Sequence, residues 1–197
     1  GQERLGVRLP LGPEGGGPMF LSHYSFLGLD PNGLVDRYAD YGEQTRAHAR
    51  LNYAHCVANP HGHPGYGPDC WGLTASDSPG GYAAHSPAND LGVISPTAAV
   101  ASMPLAPVEA MRALRHFVDD RGDELWGRFG LADAFCPATG WVAPASLAID
   151  QGPIVTMLEN DRSGLIWRLF MGAPEVQDGL QRLGFSSPRL GAGRERA

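Results

Sequence analysis

The sequence contains no lysine: all fifteen of its fixed positive charges are arginines. That removes a Schiff-base amine and a phosphate-loop lysine from the available chemistry. Twenty-one Asp and Glu outweigh the arginines and leave a formal charge of −6. With no broad basic field to release counterions from a polyanion, nucleic acid is not an expected partner. No apolar run approaches the length of about 18 residues that a membrane span needs. The first residues, GQERLGVRLPLGPEGGG, lack the charged start and apolar stretch of a secretion signal. Cysteine is scarce, at three (Cys56, Cys70 and Cys136). That is too few for a disulfide scaffold and the spacing fits no zinc motif. One bridge plus a free thiol, or three buried thiols, both satisfy the count.

What the chain has is apolar material and loop formers. Hydrophobic residues make up 43% and charged ones 18%, enough for a core in one domain of 197 residues. Glycine (27) and proline (17) are abundant, so long shaped loops are expected between regular elements. Residues 1–18 read as loop or linker. LDPNG at 29–33 is a turn. The longest helical pattern runs from about Leu34 to Ala58, until Pro60 stops it. Residues 59–95 show little periodicity, and a loop of that length inside a domain is often functional. Ser95-Pro96 and Pro107 open two helices, with serine as cap and proline in the first turn. A second loop, about 127–144, precedes helices starting near Ile149–Asp150, at Gly164 and at Pro174. The end, GAGRERA, reads as a frayed tail. The layout is all-α with elaborate loops. Three helical stretches, TAAVASM, IVTML and LIWRLF, are apolar on most sides and call for neighbours on more than one face.

Three clusters could carry chemistry. WGLTASDSPGGYAAHSP places Trp71, Thr74, Ser76, Asp77, Tyr82 and His85 together. Aromatic faces beside short polar groups suit a sugar, which offers C–H faces and hydroxyl rims; equally, Trp71 is core and Asp77 begins a turn. Asp133 and Trp141 in the second loop suit the same ligand, or a cap and a packing ring. Asp150, with Gln151 beside it, sits at a helix start, where amides and the dipole favour an ionised carboxylate fit to act as a base; an ordinary N-cap explains it as well. His55, Cys56, His61, His63, Asp69 and Cys70 could build a metal site. The His-x-His lies in a Gly/Pro loop without a helical i,i+4 pair, so no metal and no cofactor is assigned. No G-x-S-x-G elbow and no strand-linked G-x-G-x-x-G is present.

Several segments resemble one family. PLGPEGGGPMFLSHYSFLGLDP, YADYGEQTRAHARLNYAHCVANP, GPDCWGLTASDSPGGYAAHSP, ISPTAAVASMP, LWGRFGLADAFCP and LAIDQGPIVTMLENDRSGLIWRLFM are similar to the bacterial glycoamylase-like family. That family includes endo-β-1,2-glucanases and the related domain of cyclic β-1,2-glucan synthases. The resemblance implies an (α/α)6 toroid with a central cleft, of which this chain holds the C-terminal half over about 19–186, with 187–197 as a flexible tail. It implies inverting hydrolysis of β-1,2-glucan, with Asp150 of the IDQGP motif on the base side. Trp71, Thr74, Ser76, Asp77, Tyr82, His85, Asp133, Trp141 and Gln151 would bind glucosyl units. Inversion also needs a carboxylic acid roughly 6.5–9.5 Å from the base, expected from an N-terminal half. Glu43, Glu109, Glu124 and Glu159 sit on helix faces and offer no candidate. The isolated chain is therefore expected to be weak or inactive. A non-catalytic glucan-binding or accessory module, and a transglycosylating domain, are the rival readings. The resemblance alone points to a periplasmic or secreted setting.

Overall fold

The computed structural model describes residues 1–191. It is rich in helix, with four small antiparallel ladders set among the loops. Residues 1–18, expected as loop or linker, hold two short strands and a 3-10 turn among their loops. Strands β1 (Gln2–Arg4) and β2 (Val7–Leu9) pair as a hairpin, and a short 3-10 turn covers Glu14–Gly16. Leu9 is fully buried, and Leu11 is bracketed by the Gln44 side chain through its N–H (2.8 Å) and its carbonyl (3.0 Å). Helix α1 (Phe20–Ser25) follows, with Thr74 Oγ1 accepting the Phe20 N–H at 3.0 Å.

Helix α2 spans Tyr41–Ala58, seven residues shorter at its start than the pattern from Leu34 suggests. The reason is local. Asp40 caps it, accepting the Glu43 N–H at 3.0 Å, a Asp-x-x-Glu signal at 40–43. Leu34 instead belongs to a separate apolar cluster with Phe26, Met171 and Leu180. The buried stripe of α2 includes Thr45, His48, Asn52 and His55, spaced by three and four residues on one face. This polar stripe is stable because it is hydrogen-bonded. His48 meets Ser22 Oγ (2.7 Å) and the Gly17 carbonyl (3.1 Å). Asn52 clasps Leu73, donating to its carbonyl (2.9 Å) and accepting its N–H (3.0 Å). Such pairing removes the cost of burying amide and imidazole.

Residues 59–95 are mainly loop, as expected, with a two-residue ladder between β3 (Ala75–Ser76) and β4 (Ala83–Ala84). Helix α3 (Pro96–Val100) is enclosed on all sides, and every residue of TAAVASM is buried. The loop reaches α3 closely at Gly72, whose φ is +131°; a Cβ there would lie 2.8 Å from the Ser95 carbonyl oxygen, so only glycine fits. Helix α4 (Pro107–Arg115) runs into a π-turn at His116–Asp120 and then α5 (Gly122–Leu125). The second loop holds the hairpins β5–β6 (Trp126–Gly127 with Gly130–Leu131) and β7–β8 (Phe135–Cys136 with Trp141–Val142). Helices α6 (Ala148–Ser163), α7 (Leu165–Met171) and α8 (Pro174–Arg182) complete the order.

The largest cluster gathers Trp71, Leu73, Ile94, Val100, Phe117 and Phe135, and a second joins Met19, Ala98, Met157 and Trp167. All three cysteines are buried free thiols. Of the expected tail, Leu190 packs on the Phe26–Leu34 cluster and Arg189 pairs with buried Asp30; residues 192–197 lie outside the described residues. Among the described residues no helix is long and apolar enough to cross a membrane.

The Asn52 clasp fixes the segment that leads to Asp77. We expect Asn52→Ala to destabilise the protein by about 2 kcal/mol, because the Leu73 N–H is left buried and unpaired and its carbonyl keeps only the Met19 N–H (3.1 Å). Urea unfolding measures this; a change within about 0.5 kcal/mol, typical of surface sites, would contradict it.

Candidate active site

Two aspartates distant in sequence come together in the interior. Asp133, between β6 and β7, is 1% exposed, and Asp150, in the first turn of α6, is 2% exposed. The start of α3 holds both segments. Ser95 Oγ donates to the Asp133 carbonyl at 2.7 Å, and Thr97 Oγ1 donates to the Asp150 carbonyl at 2.6 Å. Ser95 was expected as a helix cap; its hydroxyl makes no cap bond and ties down the aspartate loop instead. Tyr24 of α1 anchors the first turn of α6 from another side, donating to the Ile149 carbonyl at 3.1 Å.

The carboxyl groups themselves are sparsely served. Asp133 Oδ2 accepts the Asp77 N–H at 2.7 Å, while Asp133 Oδ1 and Asp150 Oδ2 are buried with no protein donor. The two groups lie within hydrogen-bonding reach of one another. Burial, then the hydrogen bond and charge of Asp133, then the charge of Asp77, push the Asp150 carboxyl up from 3.8 to about 8. Burial also raises Asp133, against the lowering pull of the Asp77 N–H and the bond to Asp150. Two adjacent carboxylates in a dry setting cannot both be charged cheaply, so they titrate as a unit holding one proton near neutrality. The expectation that the helix start keeps Asp150 ionised is thus corrected. Its own N–H is occupied by the Leu147 carbonyl at 3.0 Å, and burial beside a like charge outweighs the dipole.

Around this pair lie Asp77, Tyr24 and Tyr82. The Tyr24 hydroxyl is pushed up to about 12 by burial and then by Asp150, Tyr82 and Asp133, and Tyr82 is raised by burial and the same aspartates. Tyr82 is 56% exposed and so presents a free ring beside the acids. Gln151 donates to the Leu131 carbonyl at 2.8 Å. With Phe129, Ser146 and Ala148 it lines an open cleft of about 430 Å³, next in sequence to Asp150. Phe129 is 65% exposed.

Other residues named as glucosyl-binding are partly or wholly enclosed by the fold. Trp71 is completely buried, edge-on to Tyr53 with its Nε1–H on the Glu109 carbonyl (3.1 Å), so it has no face for a sugar. Thr74 serves the α1 start, and Ser76 is fully buried in β3. His85 is fully buried and neither ring nitrogen has a protein partner. Trp141 is half-buried against Val93, Ala134, Cys136 and Ala143. The structure therefore unites Asp77, Tyr82, Asp133, Asp150 and Gln151. It adds Tyr24 and Phe129, which composition did not single out; an exposed aromatic at the tip of a Gly-flanked hairpin (RFG, 128–130) was the available signal for the latter. Elsewhere, imidazole nitrogens of His55 and His61 and an oxygen of Asp90 lie within 4.8 Å of one another.

The chain is similar to known proteins over most of its length. The glycoamylase family model, described as "Putative glucoamylase", matches residues 4–174. The chain is 43% identical over 185 residues to an exo β-1,2-glucooligosaccharide sophorohydrolase (non-reducing end) of Parabacteroides distasonis, covering 93% of this chain and 26% of that protein. A crystal structure titled "putative glucoamylase" from Bacteroides uniformis superposes with a TM-score of 0.95 at 58% identity, over 96% of this chain and 47% of that one. The endo-β-1,2-glucanase of Chitinophaga pinensis, solved with sophorotriose and glucose, gives 0.89 at 55% identity, over 92% and 44%. The chain thus spans less than half the length of these relatives.

A pH-dependent stability follows from the aspartate pair. Because the folded Asp150 pKa (about 8) lies above its unfolded value of 3.8, the native state binds the extra proton between them, and stability falls as pH rises through that window. Asp150→Asn removes the charge. We expect it to melt above the parent at about pH 9 by at least ~2–4 °C, the shift for roughly 1 kcal/mol in a chain this size, with the gap closing near pH 4. Calorimetry at both pH values checks this; a pH-independent gap would contradict it.

Proposed function

From the glycoamylase family, to which this chain belongs, we propose that it is the C-terminal half of an (α/α)6 hydrolase that cleaves β-1,2-linked glucans with inversion. The single observation that carries the reading is the buried Asp133–Asp150 pair, opening on exposed aromatic rings. A base for water activation works best when its pKa lies near the working pH, and Asp150 is pushed to about 8. Asp133 is a positioning residue: its hydrogen bond and charge raise Asp150 and so set the pH above which Asp150 is free to take a proton from water. Tyr82 and Phe129 offer faces for glucosyl rings, and Asp77 and Gln151 supply polar contacts at the rim.

The pair cannot by itself perform inversion. Its members touch, whereas acid and base in an inverting enzyme stand roughly 6.5–9.5 Å apart to admit a water, and in a retaining one about 5–5.5 Å. The general acid is assigned to an N-terminal half, which supplies the other part of the toroid. Two observations support that partner. The relatives are more than twice as long as the matched region. Large apolar side chains also stand in solvent on several helices: Val108 on α4, Val155 (70% exposed) on α6, and Leu169 and Phe170 on α7. Val155, Leu169 and Phe170 fall in the IVTML and LIWRLF stretches that call for more neighbours, while TAAVASM finds them all within this chain. The resemblance to enzymes of extracytoplasmic glucan metabolism supports a periplasmic or secreted site of action.

The test is hydrolysis of linear β-1,2-glucan, read by reducing ends and by anomeric NMR of the first product. The chain alone should be weak or inactive. With the N-terminal half it should release inverted product, and Asp150→Asn should lower that rate by about 10²–10⁴-fold. Binding of the glucan without turnover by the complete assembly would favour an accessory module. Retained configuration, or full activity of Asp150→Asn, would overturn the mechanism.

A further inference from the structure

The end of α2 and the loop that follows carry a second constellation, remote in sequence from the aspartate pair. His55 and Asp90 have fully buried side chains, with His55 Nε2 2.8 Å from Asp90 Oδ2. Nitrogens of His55 and His61 and an oxygen of Asp90 fall within 4.8 Å of one another. We propose that His55, His61 and Asp90 form a binding site for a borderline-soft divalent cation of the zinc class.

Four features support a built site. First, the two Asp90 oxygens are divided in their duties. Oδ1 accepts the Tyr66 hydroxyl (2.8 Å) and the Gly92 N–H (3.1 Å), and His63 Nε2 stands 3.3 Å from it without a hydrogen bond. Oδ2 faces His55 alone. That is the arrangement of a ligating carboxylate whose other oxygen is held by an outer shell of donors. Second, the His55 and Asp90 side chains are both fully buried, and His55 Nδ1 is a buried nitrogen with no protein partner. Third, the loop is braced: the Asn59 side chain donates to the His63 carbonyl (2.9 Å) and accepts the His63 N–H (2.8 Å). Fourth, His61 is exposed and precedes Gly62, whose φ is +67°. It gives an ion a route in, and it can swing the short distance to donor spacings of about 3.3 Å that bonds of ~2.0–2.2 Å require.

Two imidazoles and one carboxylate favour zinc, nickel, copper or iron over magnesium or calcium. A water completes four-coordination. In the cation-free state one proton lies between His55 Nε2 and Asp90 Oδ2. The entering cation takes its place on both atoms, and that proton moves to His55 Nδ1, which has no protein partner, so a neutral imidazole is the ligand. The bound ion would fasten the 59–95 loop, which carries Asp77 and Tyr82, to α2. The inference is independent of the glucan reading.

The experiment uses the full chain, stripped with chelator and titrated with Co²⁺ and then Zn²⁺. We expect one Co²⁺ per chain with the intense visible absorption of a four-coordinate site, displaced by Zn²⁺, and a higher melting temperature with Zn²⁺. His61→Ala, at an exposed position that folding does not need, should weaken binding by more than about 100-fold and abolish the melting shift. Tyr66→Phe, which removes an outer hydrogen bond to Asp90 Oδ1, should weaken it by about 10–100-fold. His116→Ala, in an exposed pair with Asp120, should bind like the parent. Absence of a stoichiometric Co²⁺ spectrum, or equal affinities of the parent and His61→Ala, would overturn the proposal.

Discussion

Two aspartate carboxyls pressed together out of water are the constraint around which this structure is arranged. Their mutual repulsion and their desolvation would drive them apart or flood the site, unless the backbone beneath them were fixed. The fixing comes from the first turn of α3, where the hydroxyls of Ser95 and Thr97 each grip one aspartate segment by its carbonyl. Helix α3 can serve as an anchor because it is buried on every side. Close contact at Gly72 and the clasp of Asn52 on Leu73 then lock the loop that brings Asp77 against Asp133. The energetic cost of the pair is borne by ordinary core packing around Trp71, Phe117 and Phe135.

That arrangement gives Trp71 its meaning. A tryptophan in a loop rich in Ser, Asp and Gly resembles a sugar platform, yet its role is to weld loop to core. In the proposed reading the rings that meet a ligand are those of Tyr82 and Phe129, both exposed on loop and hairpin tips. A rigid interior with exposed aromatic tips is a sound division of labour: the acids need exact placement, whereas stacking on a sugar tolerates some play.

Local signals in the sequence located many elements. Pro96, Pro107 and Pro174 mark helix starts that the structure places at those residues. The start of α2 was misplaced because apolar spacing at Leu34 and Tyr38 continued the helical rhythm, while the deciding Asp40–Glu43 cap lies in side-chain-to-backbone bonding. The ladders of two residues each were too short for any alternation to show. At the site, the IDQGP and LADAF segments drew attention to Asp150 and Asp133, but their contact spans seventeen positions and depends on the tertiary fold. The charge state of Asp150 was misjudged for that reason: a helix start is local and readable, whereas a buried neighbouring carboxyl is not. The same holds for His55 and Asp90, brought together across a loop without periodicity.

The central claim is that Asp133 and Asp150 act as one titrating unit that keeps a proton through neutral pH. Carboxyl-selective ¹³C NMR of aspartate-labelled protein, compared with the Asp133→Asn and Asp150→Asn variants to assign the signals, measures this directly. The account predicts that one proton stays on the pair until about pH 8 and that removing Asp133 lowers the pKa of Asp150. Two independent transitions, both complete below about pH 5 as for ordinary carboxyls, would contradict it.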